Sequence, residues 1–244
     1  MNLIFTNRYE AGFLLGRKLR SQWPQGEPLI LALPRGGVPV GYQVALELNA
    51  PLDVFTVRKL GVPGHEELAM RAIATSGIRV MNDEVVDTLA IPAEVVDAVT
   101  QREAAELRRR ELAYRHTTKP PQVKDRSVIL VDDGVATGST MLAAIKAVKR
   151  EGASYVMVAA PVMARGTVSK LRKEADEVVA LSTPEPFEGV GRWYQNFTPT
   201  MDDEVRELLR MADLRETEKM KLAHSGGVRP GTYAASQNQD FEVP

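Results

Sequence analysis

Cysteine is absent from the 244-residue chain. This absence excludes disulfides, thiolate nucleophiles and zinc sites built on cysteine. The three histidines, His65, His116 and His224, lie far apart along the chain, and none has the spacing of paired metal ligands. Chemistry that depends on sulfur or on clustered imidazoles is therefore not expected.

An excess of charge of either sign is also missing. The chain has 31 Lys and Arg against 32 Asp and Glu, a formal net charge of −1. No overall field therefore favours nucleic acid or an anionic membrane. The local basic run "RRRELAYRHTTK" (108–119) has Glu103, Glu106 and Glu111 within or near it. This mixture indicates a solvated helix face in preference to a nucleic-acid site.

Long hydrophobic runs are lacking as well. No apolar stretch approaches the roughly 20 residues that a membrane helix needs. The first residues, "MNLIFTNRYEAG", do not have the basic segment and apolar core of a signal peptide. With 44% hydrophobic and 26% charged residues, the composition is that of a globular protein. We therefore expect a soluble, cytoplasmic protein.

Short apolar runs alternate with helical patterns along the chain. Within these runs, apolar and polar residues do not alternate strictly, which is typical of strands covered on both faces. The runs lie at 28–33, 52–58, 127–133, 154–162 and 177–181. Helical patterns occupy the intervals at 38–49, 139–151 and 166–175. The alternation predicts an α/β fold with a mainly parallel, twisted sheet and helices on both faces.

Two further segments do not follow the alternation. Residues 82–126 are rich in helix formers, which predicts a helical elaboration made of one long helix or two shorter ones. Thr200, with Asp203 three residues later, resembles a capping box at the start of a last helix. From about residue 216 the chain is polar and glycine-rich, which predicts a flexible tail over 216–244.

The stretch "ILVDDGVATGSTM" (129–141) has the parts of an anion site. An apolar strand is followed by a loop of small residues and by a helix that starts near Ser139. Gly134 and Gly138 can adopt positive φ and let backbone N–H groups approach a ligand. The helix N-terminus adds positive potential, and Thr137 and Thr140 add hydroxyl donors.

Two adjacent carboxylates, Asp132 and Asp133, stand beside this anion loop. They would repel a phosphate, but they are good acceptors for sugar hydroxyls and can hold Mg²⁺. The pattern therefore indicates a ligand with a phosphate at one end and a diol at the other, such as a ribose 5-phosphate. A Walker A loop is excluded because no lysine follows the second glycine. A dinucleotide-binding loop is excluded because its G-x-G-x-x-G motif is absent. The remaining alternative is a plain strand–turn–helix with surface aspartates.

The segment "VILVDDGVATGST" (128–140) resembles the thirteen-residue signature of type I phosphoribosyltransferases, which bind 5-phosphoribosyl 1-pyrophosphate. The resemblance implies that Asp132 and Asp133 are catalytic, contact the ribose hydroxyls, and hold Mg²⁺ directly or through water. It also implies a loop that surrounds the 5-phosphate, formed by Val135, Ala136, Thr137, Gly138, Ser139 and Thr140.

The same family has a pyrophosphate loop after an early strand, and "LALPRGGVPVG" (31–41) is similar to it. Arg35, Gly36 and Gly37 are the substrate-binding candidates there, and such loops often carry a non-proline cis peptide. Arg58 and Lys59 follow the run at 52–58 and are expected at the ligand-binding edge of the sheet. By resemblance both meet pyrophosphate, with Lys59 as the catalytic candidate; a solvated strand end is the alternative.

The resemblance extends to two variable parts of the site. Residues 61–77 would be a mobile loop over the active site, in which His65 and Glu66 could shuttle a proton or order the loop. Residues 182–200 would be the hood that recognises a base. There "PFEGVG" is distantly similar to the hood of hypoxanthine–guanine enzymes, so Phe187 is the candidate to stack on a base. The pair Trp193 and Tyr194 is more typical of a core.

The resemblance covers roughly residues 8–210 and predicts a domain over 1–215. It implies a magnesium-dependent enzyme of nucleotide metabolism or base salvage that joins a ribosyl phosphate to a nitrogenous base. Its partners would be small molecules, and the sequence leaves a homodimer open. Two alternatives remain: a sensor that binds the phosphoribosyl ligand without turnover, and hydrolytic or phosphorolytic use of a ribose phosphate.

Overall fold

The computed structural model describes residues 4–23, 26–62, 65–75, 79–81, 92–114 and 121–224. The helices are α1 Arg8–Gln22, α2 Gly37–Leu48, α3 Ala93–Tyr114, α4 Ser139–Arg150, α5 Arg165–Leu171 and α6 Asp202–His224, and a 3-10 turn lies at Val190–Trp193. The strands are β1 Leu29–Ala32, β2 Leu52–Val54, β3 Val57–Val62, β4 His65–Ala74, β5 Arg79–Met81, β6 Ser127–Val131, β7 Tyr155–Val162 and β8 Glu177–Ser182.

Five strands form a parallel sheet in the order β2-β1-β6-β7-β8. Strand β1 lies inside the sheet beside β6, so that Leu31 is in register with Leu130. Because these strands are covered on both faces, they are apolar at nearly every position, and all four residues of β1 are buried. The prediction of an α/β fold with a mainly parallel sheet is confirmed.

Helices cover the two faces of this sheet. On one face, Leu29 and Leu31 of β1 point into a core formed with α4 and α5. On the other face, Ile30 and Ala32 point into a core formed with α1, α2 and α6. The alternation of side chains along each strand divides its apolar residues between the two cores.

The predicted strand at 52–58 is wrong in one respect, because the chain leaves the parallel sheet after Val54. Thr56 pairs instead with Thr75: the Thr56 N–H donates to the Thr75 hydroxyl at 2.7 Å, and the Thr75 N–H donates to the Thr56 carbonyl at 2.9 Å. From there β3, β4 and β5 form a separate antiparallel sheet. Within 61–77, the described residues at 61–62 end β3 and those at 65–74 form β4, so this part is strand where the sequence predicted a loop.

The elaboration at 82–126 contains one helix, α3, within its described residues. It packs against β3, β4 and α6. The last helix, α6, continues to His224, beyond residue 216 where the tail was predicted to begin. The remaining predicted tail, 225–244, lies outside the described residues. None of the helices in the described ranges combines the length and apolarity required to cross a membrane.

Candidate functional site

The loop after β6 carries the two acids at the carboxyl edge of the sheet. Strand β6 ends at Val131, and Asp132 and Asp133 follow directly. The Asp133 N–H donates to Oδ1 of Asp132 at 2.8 Å, which turns the first carboxylate back towards the backbone of the second. Both side chains are largely enclosed, with 13% of the Asp133 side chain exposed.

The following residues present a helix N-terminus without a side-chain cap. Gly138 has φ +78°, in the left-handed region that favours glycine, and α4 begins at Ser139. The Leu142 N–H donates to the Gly138 carbonyl at 2.8 Å. The N–H groups of Ser139, Thr140 and Met141 precede this bond, so they have no partner within the helix. Such a terminus is suited to an anion.

Hydrogen bonds to α5 and β7 hold the same loop in place. The Val135 N–H donates to the Val162 carbonyl at 2.9 Å, and the Ala164 N–H donates back to the Val135 carbonyl at 2.9 Å. The Thr167 hydroxyl donates to the Ala136 carbonyl. The hydroxyls of Thr137 and Ser139 lie 3.3 Å apart at the mouth of the loop. The six residues predicted to surround a phosphate thus form one anchored loop.

Gly134 does not have the positive φ that the sequence suggested, since the positive-φ glycines of the described chain are at other positions. A Cβ at position 134 would stand 2.9 Å from Cγ2 of Val190 and 3.0 Å from Cγ1 of Val162. Glycine is required there because the hood segment and β7 crowd the backbone.

The loop after β1 lies against the two acids. The Leu33 N–H donates to the Val131 carbonyl at 2.8 Å, and the Pro34–Arg35 peptide bond is cis, as the resemblance implied. A Cβ at position 36 would stand 2.7 Å from Cγ of Asp133. A Cβ at position 37 would stand 2.8 Å from the Val131 carbonyl oxygen. The two motifs identified in the sequence therefore meet in one site.

Helix α2 begins inside this second loop and also lacks a side-chain cap. Gly36 is its N-cap, and the helix runs from Gly37. The first N–H groups of α2 already have backbone partners, since the Gly37 N–H donates to the Leu33 carbonyl at 3.1 Å, the Val38 N–H donates to the Arg35 carbonyl at 3.0 Å, and residue 39 is proline. What α2 adds to the site is therefore the positive end of its dipole. Arg35 extends from the loop with 46% of its side chain exposed, and its Nη1 lies 3.6 Å from Oδ1 of Asp202.

Arg8, the first residue of α1, is a member of the site that the sequence did not reveal. Its Nε donates to Oδ2 of Asp133 at 2.7 Å, and its Nη1 donates to the Thr198 carbonyl at 2.8 Å. The guanidinium carbon also lies 3.9 Å from the centre of the Phe197 ring. No local pattern marks Arg8, because its partner Asp133 is 125 residues away in the chain.

Burial dominates the electrostatics of the two acids. Removal from water raises the pKa of Asp132 well above its ordinary value, and the neighbouring Asp133 charge raises it further. Burial also raises the pKa of Asp133, but the Arg8 guanidinium opposes that rise by hydrogen bonding and charge. Ionising both acids is thus costly, and the pair is suited to a partner that supplies positive charge or hydroxyl donors.

The hood segment packs against the N-terminal residues of the chain. Phe5 and Tyr194 form a parallel bridge, and Trp193 and Tyr194 are buried, as the sequence predicted for a core pair. The Tyr194 hydroxyl donates to the Asp133 carbonyl at 2.6 Å. Phe187, the predicted stacking residue, is half-buried against the same aromatic cluster. Its role towards a base stays a prediction.

Arg58 does not stand at the end of a strand of the parallel sheet, and its role towards pyrophosphate stays a prediction. It belongs to β3 of the antiparallel sheet, with Nη2 at 2.6 Å from Oε2 of Glu103 and Nη1 at 3.7 Å from Oε1 of Glu106. The chain leaves the parallel sheet after Val54, so residue 58 lies in β3, beside helix α3. Arg58 therefore pairs with acids of that helix. The side chains of Lys59, His65 and Glu66 lie outside the described residues.

Asp132 and Asp133 are the candidate ligands of a divalent cation at this site. In the described part of the chain no group of three or more His, Cys, Asp or Glu residues could hold a metal alone. Mg²⁺ is usually bound through one or two carboxylates together with ligand phosphates and water. Asp132 and Asp133 fit that pattern when a phosphorylated ligand completes the coordination.

Comparison with known proteins adds to this geometry. The phosphoribosyl transferase domain family matches residues 9–192. Proteins of two Mycobacterium tuberculosis strains, provisionally named phosphoribosyl transferases, are 44% identical over 209 residues, 86% of this chain and 47% of theirs. The chain thus spans about half the length of these curated relatives.

Two further proteins are similar to this chain over part of its length. A crystal structure of TT1426 from Thermus thermophilus has a TM-score of 0.77 and 39% identity, covering 85% of this chain and 98% of that one. A ribose-phosphate pyrophosphokinase of Pyrococcus furiosus is 40% identical over 67 residues, 26% of this chain and 24% of that enzyme.

Proposed function

The chain belongs to the phosphoribosyl transferase domain family, and we propose on that premise that it is an enzyme acting on 5-phosphoribosyl 1-pyrophosphate with Mg²⁺. The ribosyl phosphate passes to a nitrogenous base, and pyrophosphate is released. The observation that carries the proposal is the contact of Gly36 with the Asp133 carboxylate, because it joins the two anion-binding loops across a pair of acids.

The three parts of this ligand match three parts of the site. Its 5-phosphate corresponds to the N-terminus of α4 and the hydroxyls of Thr137 and Ser139. Its ribose hydroxyls correspond to Asp132 and Asp133. Its pyrophosphate corresponds to the N-terminus of α2, where the helix dipole is positive, with Arg35 beside it. The match to a ribose-phosphate pyrophosphokinase supports the same ligand class.

One oxygen of each carboxylate already has a partner within the protein. Arg8 engages one oxygen of Asp133, and the Asp133 N–H engages one oxygen of Asp132. The other oxygen of each carboxylate is the candidate acceptor for a hydroxyl, or a ligand of Mg²⁺ directly or through water. Bound Mg²⁺ supplies positive charge that stabilises the departing pyrophosphate.

Catalysis would depend mainly on position and charge. The bond between C1 of the ribose and the pyrophosphate oxygen breaks, and pyrophosphate leaves with the electron pair. The nitrogen of the base forms the new bond to C1, and the proton on that nitrogen passes to water. The positive end of the α2 dipole and the Arg35 guanidinium would stabilise the negative charge that develops on the leaving group. The buried acids lie beside the sugar as it becomes electron-deficient.

Pyrophosphate release in the presence of Mg²⁺ and a panel of purine and pyrimidine bases tests the proposal. We expect release with at least one base and little without any. Asp133→Asn should lower turnover by about 100-fold or more, if the carboxylate contributes a few kcal/mol in the transition state. Glu174→Gln, at an exposed ion pair with Lys146, is the matched control and should leave turnover unchanged. Undiminished turnover in Asp133→Asn would contradict the role of that residue.

One observation favours a second candidate, a sensor that binds the ligand without turnover. Arg58, a cation predicted to meet pyrophosphate, is paired with Glu103 and Glu106. Saturable binding of 5-phosphoribosyl 1-pyrophosphate without pyrophosphate release under any base would favour the sensor. Release in the control without a base would instead favour hydrolytic use of the ligand.

A further inference from the structure

We propose that Arg8 is a positioning residue of the sugar site: it orients the Asp133 carboxylate towards the ribose hydroxyls and links that carboxylate to the hood. This inference rests on the proposed function, in which Asp133 accepts those hydroxyls. It goes beyond the two recognised motifs, because Arg8 belongs to neither of them.

The guanidinium of Arg8 is fixed from three directions. Asp133 accepts from its Nε, the Thr198 carbonyl accepts from its Nη1, and the Phe197 ring covers one face. Only 10% of its side chain is exposed. A cation held in this way does not reach freely for a phosphate, since it would have to give up a buried carboxylate and a ring contact.

The backbone around Arg8 is anchored to the hood. The Gln195 N–H donates to the Phe5 carbonyl at 2.8 Å, and the Asn196 N–H donates to the Thr6 carbonyl at 2.9 Å. Asn7 caps α1 by accepting from the Glu10 N–H at 3.0 Å. The position of Arg8 is therefore set by α1 and by the hood together.

The ion pair has a direct consequence for Asp133. Its Oδ2 is engaged by Arg8, and a Cβ at position 36 would collide with the same carboxylate, so the group is held from two sides. The remaining oxygen, Oδ1, is then presented in one orientation. Thr198 and Phe197 lie in the hood, so a change in the hood is transmitted through Arg8 to the group that binds the sugar.

Two ligands separate positioning from direct phosphate binding. Ribose 5-phosphate has both the phosphate and the hydroxyls, whereas inorganic phosphate has only the first. Affinities for both would be measured by nuclear magnetic resonance titration of the full chain carrying Arg8→Gln, Arg8→Lys or Asp133→Asn. Lys18→Gln is the matched control, because Lys18 is also on α1 and donates to the Ala180 carbonyl at 2.9 Å, away from the acids.

We expect Arg8→Gln to weaken ribose 5-phosphate binding about tenfold, the size of one hydrogen bond to a charged group, and to leave phosphate binding within about twofold. Arg8→Lys keeps the positive charge but loses the planar guanidinium. Its affinity for ribose 5-phosphate should lie between those of Arg8→Gln and the unaltered protein. Adding Arg8→Gln to Asp133→Asn should cause little further loss, because Arg8 acts through the carboxylate that Asp133→Asn has already removed. Lys18→Gln should change neither affinity.

Other outcomes overturn the inference. Equal losses for both ligands would mean that Arg8 binds phosphate or acts only on the fold, and an unchanged ribose 5-phosphate affinity would mean that it does not act on the site. Should Arg8→Gln fail to fold, the same comparison with Arg8→Lys decides. If the unaltered protein binds phosphate but gains nothing from the ribose, the proposed function fails and the inference with it.

Discussion

Gly36 lies directly against the carboxylate of Asp133: a Cβ at position 36 would stand 2.7 Å from Cγ of Asp133 and 3.2 Å from Nε of Arg8. The backbone at Gly36 has φ −59° and ψ −30°, which any residue can adopt. Glycine is therefore needed here for close approach and not for an unusual dihedral angle. The contact makes the loops after β1 and β6 parts of one surface.

Gly36→Ala should accordingly disturb the acids. The added methyl group must displace the Asp133 carboxylate or the start of α2, so we expect ribose 5-phosphate affinity to fall at least about tenfold, the scale of one lost charged hydrogen bond. Gly166→Ala is the matched control, because a Cβ there meets nothing within 4 Å. It should leave affinity unchanged and raise helix stability by up to about 1 kcal/mol. Unchanged affinity in Gly36→Ala would show that the close approach is not required.

Asp132→Asn should stabilise the ligand-free protein at neutral pH. Burial and the Asp133 charge raise the pKa of Asp132. The folded chain then binds a proton more tightly than the unfolded chain, so this stability is present below the ordinary carboxyl pKa and is lost as pH rises through the raised value. The asparagine side chain at position 132 carries no charge at any pH, so the variant avoids this loss. Its advantage at pH 7, about 1 kcal/mol or 2–4 °C in Tm, should vanish near pH 4.

Asp133→Asn should behave differently, because it leaves the Arg8 cation without its charged partner. We expect a lower Tm than that of Asp132→Asn at pH 7, since an unpaired buried charge is destabilising. Thermal unfolding with a chelator and without ligand, from pH 4 to pH 8, measures both variants. A Tm for Asp132→Asn below that of the unaltered protein at pH 7 would contradict the assigned cost of burial.

Glu103→Gln should raise the affinity for pyrophosphate if Arg58 contributes to that site. Arg58 must leave Glu103, 2.6 Å away, before it can bind a ligand. Removing this competition should increase affinity about two- to fivefold, the scale of a weakly buried ion pair, whereas Arg58→Gln should decrease it. Arg102→Gln, at an exposed pair with the same Glu103, is the control. Calorimetry with inorganic pyrophosphate that detects no change in either variant would exclude Arg58 from the site.

Arg215→Met should lower stability and leave ligand binding intact. Arg215 Nη2 donates to the carbonyls of Ala45 at 3.1 Å and Ala50 at 2.7 Å, at the C-terminal end of α2. The Ala45 carbonyl still accepts from the Ala50 N–H at 3.0 Å, but the methionine removes the side-chain donor to the Ala50 carbonyl and the positive charge at the end of α2, at a cost of about 1–2 kcal/mol. Arg210→Met, at an exposed pair with Glu207 on the same helix, is the control and should lower Tm much less than Arg215→Met. Equal Tm values for the two variants would contradict this role.

Much of the fold could be read from local patterns. Apolar runs predicted the strands of the parallel sheet, and the intervals between them predicted α2, α4 and α5 within a few residues. The break after Val54 could not be predicted, because 52–58 is a continuous run of strand-forming residues. The choice between the two sheets depends on Ala32 and Thr75, whose backbones pair with Phe55 and Thr56.

The sequence by itself determined the chemistry of the loop after β6. Its acids, glycines and hydroxyls are contiguous, so their chemistry and order can be read directly from the chain, and the positive φ of Gly138 is a local feature that the sequence indicated. Tertiary structure alone decided the partners of these groups. Arg8 reaches Asp133 across 125 residues, and Gly36 meets it only because the sheet places β1 beside β6. Such contacts depend on strand order and on helix packing, and no local pattern encodes either.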